Sequence, residues 1–307
     1  MILCVNLSPC IEYNMEVENL GIGMVNKVIS KRNYITGNAL NVATGIARLG
    51  GDAFATGFMY EENGRMFEQE LHKEGVTYKF VWNSGRVREV YKFIDRRSML
   101  TEIVDEASKI TSDNADKLIE AVAELSKQCC AVVISGECPE CLGDDYLERL
   151  IRSVDGNALK IIDIKGKDLN RLVKYGVDLV KPNLEEMQEA LQIKITDLDS
   201  MKTACKTVVK AGAKRVLLSL GKKGAVIYDG EKALYCTSLN VAMNSTVGAG
   251  DAMVAAASKA LAGGESSEEI LRSGVAAGTA SVTSTDSISF IKTKYEEILS
   301  TLSVKEI

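Results

Sequence analysis

Short apolar runs alternate along the chain with stretches whose apolar residues recur every three or four positions. Ala131-Val132-Val133-Ile134-Ser135-Gly136 is one such run, rich in β-branched residues and closed by glycine. Leu159-Lys160-Ile161-Ile162-Asp163, Val177-Asp178-Leu179-Val180-Lys181, Arg215-Val216-Leu217-Leu218-Ser219-Leu220-Gly221 and Gly224-Ala225-Val226-Ile227-Tyr228 follow it. Continuous runs of this length predict strands buried on both faces of a parallel sheet. Between them, Ser112 to Lys127 places Ala115, Leu118, Ile119, Val122 and Leu125 on one helical face. Asp144 to Ser153 and Ser200 to Ala211 read the same way. Strand–helix alternation of this kind predicts a layered α/β fold with a mostly parallel central sheet.

Two stretches break the rhythm. Val25-Asn26-Lys27-Val28-Ile29-Ser30 and Val87-Arg88-Glu89-Val90-Tyr91-Lys92-Phe93-Ile94 alternate apolar with polar residues, the pattern of half-exposed antiparallel strands. They lie in residues 10–36 and 86–103. Together they predict a small accessory sheet built from two insertions into a main domain of residues 1–9, 37–85 and 104–307. No linker, internal repeat or low-complexity tract interrupts the chain.

Composition changes the picture mainly by exclusion. The 307 residues include a single histidine, His72, so sites built on two or more histidines are excluded. His72 lies in Glu68-Gln69-Glu70-Leu71-His72-Lys73-Glu74, a charged helical stretch, and reads as a solvated helix-face residue. Lysine and arginine number 37 against 42 aspartate and glutamate, a net charge of −5. A chain without a basic excess is unsuited to gripping nucleic acid. No stretch approaches the roughly 18 apolar residues of a membrane helix. Met1 to Pro9 has no basic leader and turns polar at Asn6, so it reads as a first strand, with the cytoplasm as the expected compartment. Cys4, Cys10, Cys205 and Cys236 are scattered singly. Cys129-Cys130 with Cys138-Pro139-Glu140-Cys141 could offer four thiols to a metal or redox centre, but adjacent strand cysteines point to opposite faces.

The chemistry concentrates in two small-residue segments. Asn244-Ser245-Thr246-Val247-Gly248-Ala249-Gly250-Asp251 precedes an alanine-rich helical stretch, Ala252 to Leu261. Gly248 and Gly250 bring bare N–H groups to a helix N-terminus, which makes an anion site. Asp251, in the first turn beside it, can take a proton from an alcohol while those N–H groups stabilise phosphoryl charge. Phosphoryl transfer needs that combination. A merely capped helix with a dipole-favoured aspartate would carry the same letters. The chain has neither a Walker loop nor a dinucleotide fingerprint. Thr36 to Gly50 is a second small-residue loop opening a helix, where the Asn41 amide could hydrogen-bond a polyol.

Together these segments resemble the phosphofructokinase B family of sugar kinases, within the ribokinase-like superfamily, and the likeness runs over nearly the whole chain. Ser245 to Asp251 resembles the family's C-terminal signature, and Gly37 with Leu40-Asn41-Val42-Ala43 resembles the N-terminal one. Lys181-Pro182-Asn183-Leu184-Glu185-Glu186 is similar to its Asn-x-x-Glu motif, and Ser219-Leu220-Gly221 with Gly224-Ala225 to its nucleotide-contacting turn. Thr101-Glu102-Ile103 and Ser135-Gly136-Glu137 also resemble family segments. The opening, Met1 to Pro9, is most like the 1-phosphofructokinase and tagatose-6-phosphate kinase branch.

The resemblance implies a ribokinase-like three-layer α/β/α fold, with the accessory sheet as a lid that shields the sugar and pairs two subunits into a homodimer. It implies a kinase using ATP and Mg2+. Asp251 would be the base, and Gly248, Ala249 and Gly250 the anion hole. Lys181, Asn183, Ser219, Gly221, Gly224 and Thr246 would surround the nucleotide, and Asn183 and Glu186 would hold magnesium through water. Glu12, Gly37, Asn38, Asn41 and Arg88 would meet the sugar substrate, with Lys27 and Lys92 assisting Arg88 at its phosphate. The sugar end departs from the pattern. Thr36 replaces a signature glycine, Asn38 replaces the lysine that contacts substrate phosphate, and Ala39 replaces the next glycine. Glu12 stands for an aspartate, one methylene longer. The missing lysine removes a charge-assisted contact of roughly 1.5–3 kcal/mol. Fructose 1-phosphate, tagatose 6-phosphate, a free sugar and a nucleoside therefore stay open as acceptors. A non-catalytic sugar- or nucleotide-binding regulator is the reading outside the enzyme class.

Overall fold

The computed structural model describes residues 1–164, 166–242, 247–284 and 290–307. Its strands are β1 (Ile2–Asn6), β2 (Cys10–Val17), β3 (Val28–Thr36), β4 (Ala53–Tyr60), β5 (Thr77–Asn83), β6 (Arg88–Ile94), β7 (Leu100–Val104), β8 (Ala131–Ser135), β9 (Leu159–Asp163), β10 (Leu179–Val180), β11 (Val216–Ser219), β12 (Ala225–Tyr228), β13 (Ala233–Cys236) and β14 (Val304–Glu306). Its helices are α1 (Asn38–Arg48), α2 (Arg65–Lys73), α3 (Ser112–Ser126), α4 (Tyr146–Ser153), α5 (Gly166–Leu172), α6 (Leu184–Leu191), α7 (Leu198–Lys210), α8 (Ala249–Ala262), α9 (Ser267–Val282) and α10 (Lys292–Thr301).

The main sheet runs β5, β4, β1, β8, β9, β10, β11 with every neighbour parallel, then β12, β13 and β14 antiparallel. Every residue of β1 and β8 is buried. Successive side chains point to opposite faces, so both faces of the sheet centre are covered. The mixed α/β fold and its mostly parallel sheet follow the apolar runs, with two corrections. Gly224–Tyr228 was expected as a parallel strand, yet β12 is antiparallel to β11. Only the tight turn from Leu220 to Gly224 joins them, and a parallel crossover needs a dozen or more residues. The run Val177 to Lys181 yields a two-residue strand, β10.

Chain order places β1 between β4 and β8, so the connections leave it in opposite directions. The crevice beyond the carboxyl ends of such strands is where open α/β sheets bind ligands. Asn6, Ser135, Asp163 and Lys181 all lie at those ends.

A second, smaller sheet has the order β3, β2, β6, β7. The expected antiparallel pairing holds for β2 with β3 and for β6 with β7, but β2 and β6 are parallel. Each rises from the carboxyl edge of the main sheet, β2 just after β1 and β6 just after β5, so both set out in the same direction. The register puts Cys10 opposite Arg88, Glu12 opposite Val90 and Lys92 opposite Glu102, all on one face. Large apolar side chains are exposed on this sheet and its connections, among them Ile22, Val25, Ile29, Ile94, Leu100 and Ile103. His72 is exposed on α2, as its charged neighbours suggested.

Candidate active site

Helix α8 opens after Gly248, whose φ of 80° is left-handed and suits glycine alone. Small residues along α8 let α1 approach closely. A side chain begun at Gly45 of α1 would place its Cβ 2.7 Å from that of Ala255. This contact brings the first turn of α1 to the first turn of α8. The Asn38 amide donates to Asp251 Oδ1 at 3.0 Å, and the Asn41 amide to Oδ2 at 2.7 Å. Three positions apart on a helix, the two asparagines share a face. Asp251 is 6% exposed. Burial, with the negative charge of Asp163 behind it, pushes its carboxyl up to about 6; the two amides and Lys181 pull the other way.

Asp163, at the end of β9, accepts from Ser135 Oγ at 3.1 Å and pairs with Lys181 Nζ at 2.9 Å. Burial alone would push the Lys181 ammonium down. Asp163, with Glu186 and Asp251 beyond it, more than reverses this and holds it protonated. The ammonium reaches the α8 turn, lying 3.6 Å from where a Cβ on Gly250 would sit. The sequence marks Ser135 only as part of a segment resembling the family, with no role, and does not mark Asp163 as a site residue at all. A polar residue closing an apolar strand run at a sheet's carboxyl edge is the signal that marks both.

A polar cavity of about 290 Å3 opens over Asp251. Its wall includes Glu12, Gly37, Asn38, Asn41 and Arg88 from the sugar set, together with Gly248, Gly250, Lys181 and Glu186. Two expected phosphate contacts are elsewhere. Lys27 is exposed between β2 and β3, off this wall. Lys92 is also off the wall, since its ammonium is bound to Glu12 at 2.8 Å. Arg88 lies 3.8 Å from Glu137.

A larger, mostly apolar cavity of about 560 Å3 lies on the other side of the α8 turn. Ser219, Gly221, Gly224 and Ala249 line it, with Met253, Val275 and Val282 behind them. Gly224 closes the turn at a φ of 101°, where a Cβ would fall 2.0 Å from the Cys236 carbonyl oxygen. Gly250 belongs to both walls. Of the remaining nucleotide set, Thr246 lies outside the described residues. Lys181 and Asn183 are not on this wall: Lys181 faces the polar cavity, and Asn183 caps α6.

Asn183 and Glu186 form a capping box. Asn183 Oδ1 accepts the Glu186 N–H at 2.9 Å, and Glu186 Oε2 accepts the Asn183 N–H at 2.8 Å. This spends the Asn183 oxygen on the helix and fixes Glu186 at the polar cavity beside Asp163. Among the described residues no three acidic, histidine or cysteine side chains converge to hold a metal directly. A carboxylate on the wall suits magnesium that keeps its own waters. All eight cysteines are free thiols.

The arrangement joins a buried carboxylate, a helix N-terminus and a buried ammonium at the meeting point of two cavities. A carboxylate so held can accept a proton while the positive groups stabilise an oxyanion. The model of the pfkB family of carbohydrate kinases matches residues 1–294. The 1-phosphofructokinase of Borreliella burgdorferi is 26% identical over 281 residues, 91% of each chain. The tagatose-6-phosphate kinase of Staphylococcus epidermidis is 24% identical over 311 residues, 100% of each. Among solved structures, phosphofructokinase-2 of Escherichia coli in complex with potassium superposes with a TM-score of 0.90 at 28% identity, covering 97% of this chain and 98% of that one. With a family match along almost its whole length, the chain belongs to the pfkB family of carbohydrate kinases and is a sugar kinase.

Proposed function

We propose that this kinase transfers the terminal phosphoryl group of ATP to a hydroxyl of a sugar phosphate, with fructose 1-phosphate as the first candidate acceptor. The observation that carries the reading is the shared wall at Gly250. A donor in the apolar cavity and an acceptor in the polar one meet at the N-terminus of α8, beside Asp251. Asp251 takes the proton of the acceptor hydroxyl as that oxygen bonds to the terminal phosphorus. The bond from phosphorus to the bridging oxygen breaks, and ADP leaves. The N–H groups of Gly248, Ala249 and Gly250, with the Lys181 ammonium, stabilise the transferring charge. Magnesium, when bound, neutralises phosphate charge, and Glu186 would hold it through water. The free thiols suit a cytoplasmic setting.

At the sugar end, Glu12 and Asn41 meet hydroxyls and Arg88 takes the substrate phosphate. Asn38 occupies the place of the family's phosphate-binding lysine and donates to Asp251 instead. That change favours keeping tagatose 6-phosphate and unphosphorylated sugars in view as acceptors. An ADP-coupled assay across fructose 1-phosphate, fructose 6-phosphate, tagatose 6-phosphate and free hexoses tests the reading. Asp251→Asn lowers kcat by about 10²–10⁴-fold with the KM for ATP little changed. Near-parent turnover in that variant removes Asp251 as the base. Turnover of none of these sugars by the parent chain removes the activity. We further propose that the smaller sheet is a lid and that two copies pair through it.

A further inference from the structure

Glu12 carries an ionised group that only accepts hydrogen bonds. It stands on the wall of the polar cavity, and Lys92 does not. Lys92 Nζ nevertheless meets Glu12 Oε2 at 2.8 Å, and the two side chains are 17% and 15% exposed. Strand register explains the meeting. Glu12 lies opposite Val90, so Lys92, two residues on, is its diagonal neighbour on the same face. Behind Lys92, directly across from it on β7, the Glu102 carboxylate stands at 3.9 Å. The ammonium is thus held between two carboxylates, one facing the cavity and one facing out.

A glutamate has one more torsion than an aspartate and loses more rotamer freedom when fixed. The Lys92 ammonium restores a single geometry by tying one oxygen. It leaves the other for a ligand. Shielded from water, the pair is also coupled in energy: removing the lysine strands a carboxylate in a poorly solvated place. On the sugar-kinase reading given above, we infer that Lys92 is a positioning residue: it holds Glu12 against the hydroxyls of the sugar and thereby sets which sugar the site accepts, without touching the substrate. The held carboxylate repels phosphate. The hydroxyl-bearing side of the sugar therefore faces Glu12, and its phosphate faces Arg88, whose strand position is opposite Cys10 on the same sheet face.

The test is a double-substitution cycle on the whole protein. Lys92→Met, Glu12→Gln, the double variant and Lys92→Arg are compared, using whichever of fructose 1-phosphate, fructose 6-phosphate and tagatose 6-phosphate the parent phosphorylates. Lys92→Met raises the sugar KM by about tenfold or more, with kcat within about threefold and the KM for ATP unchanged. Lys92→Arg restores the sugar KM to within about threefold of the parent, since it keeps the charge and the donors. In the Glu12→Gln background, Lys92→Met adds less than about twofold, because nothing is left to position. The full Lys92→Met effect in that background means that Lys92 meets the substrate itself and overturns the inference, as does an unchanged sugar KM. A crystal structure of Lys92→Met supplies a readout independent of turnover: the Glu12 carboxylate leaves the cavity wall. If Glu12 stays in place, the inference fails even where the activity stands. If the parent phosphorylates no sugar, the activity reading fails, and the position of Glu12 still decides what Lys92 does.

Discussion

Asp251 carries its charge where water hardly reaches it, and this shapes both its chemistry and its effect on stability. An ordinary aspartate titrates near 3.9; here burial and Asp163 push the carboxyl up to about 6. A base of that strength is largely ionised at pH 7.5 yet has more appetite for a proton than a surface carboxylate. The acid limb of kcat/KM therefore rises with pH through about 6. Asn38→Leu removes a hydrogen bond that lowers the pKa, so it moves that limb to higher pH, read from pH–rate profiles of the two proteins. The sign for stability is opposite to that of a salt-bridged aspartate. The folded-state pKa exceeds the unfolded value, so the folded state binds more protons between about 4 and 6. Stability from this group is fully present below about 4 and is lost as pH rises through 6, by at most about 3 kcal/mol. In thermal melts, Asp251→Asn gains on the parent as pH goes from 4.5 to 8. The glycine-acid segment made Asp251 legible, because its letters sit side by side. Its amide donors come from 210 and 213 residues away, and no local pattern says that they touch it. The Lys92 partner is hidden for the same reason: a lysine on a strand near a sugar pocket reads as a phosphate contact, and only the fold brings it to Glu12.

Helix packing turns these distant residues into one site. Helix α1 supplies Asn38 and Asn41, helix α8 supplies Asp251, and the approach at Gly45 and Ala255 sets their separation. Gly45→Ala would put two Cβ atoms 2.7 Å apart, closer than folded proteins allow. The helices must part or tilt. Overpacking of this kind costs about 1–3 kcal/mol. The expected result is a lower melting temperature together with a loss of kcat, because the amides shift relative to the carboxylate. A loss of stability with kcat unchanged means that α1 absorbs the strain away from its first turn. At this scale the sequence was most readable where periodicity was strong. β8, β9 and α3 fall within a residue or two of their runs. What periodicity could not convey was direction. β12 is antiparallel because its connection is short, and β2 lies parallel to β6 because both leave the same edge. The capping box at Asn183 and Glu186 was hidden in a motif read for its metal chemistry, although the spacing serves both purposes.

Across the whole molecule, exposed apolar surface is concentrated on the smaller sheet. Ile94 and Leu100 face each other across β6 and β7, 38% and 55% exposed, with Val104 and Val28 exposed on the same sheet. The rest of the described chain adds few large apolar side chains of comparable exposure, Val247 and Ile291 among them. Exposed apolar side chains gathered on one small sheet mark an interaction surface. Two copies of one patch meet most simply about a two-fold axis, where each substitution acts twice. The cross-strand pair Ile94 and Leu100 lies on the face that carries Glu12, Arg88 and Lys92, so the proposed pairing of the sheets would steady the sugar end of each site. Ile94→Lys with Leu100→Lys places two added charges on each copy of this surface. By light scattering the parent runs as two chains and the double variant as one. The sugar KM rises with dissociation while the KM for ATP holds, since no residue of the smaller sheet lines the apolar cavity. A parent that runs as a single chain at every concentration removes the dimer. A variant that stays paired moves the interface to another face.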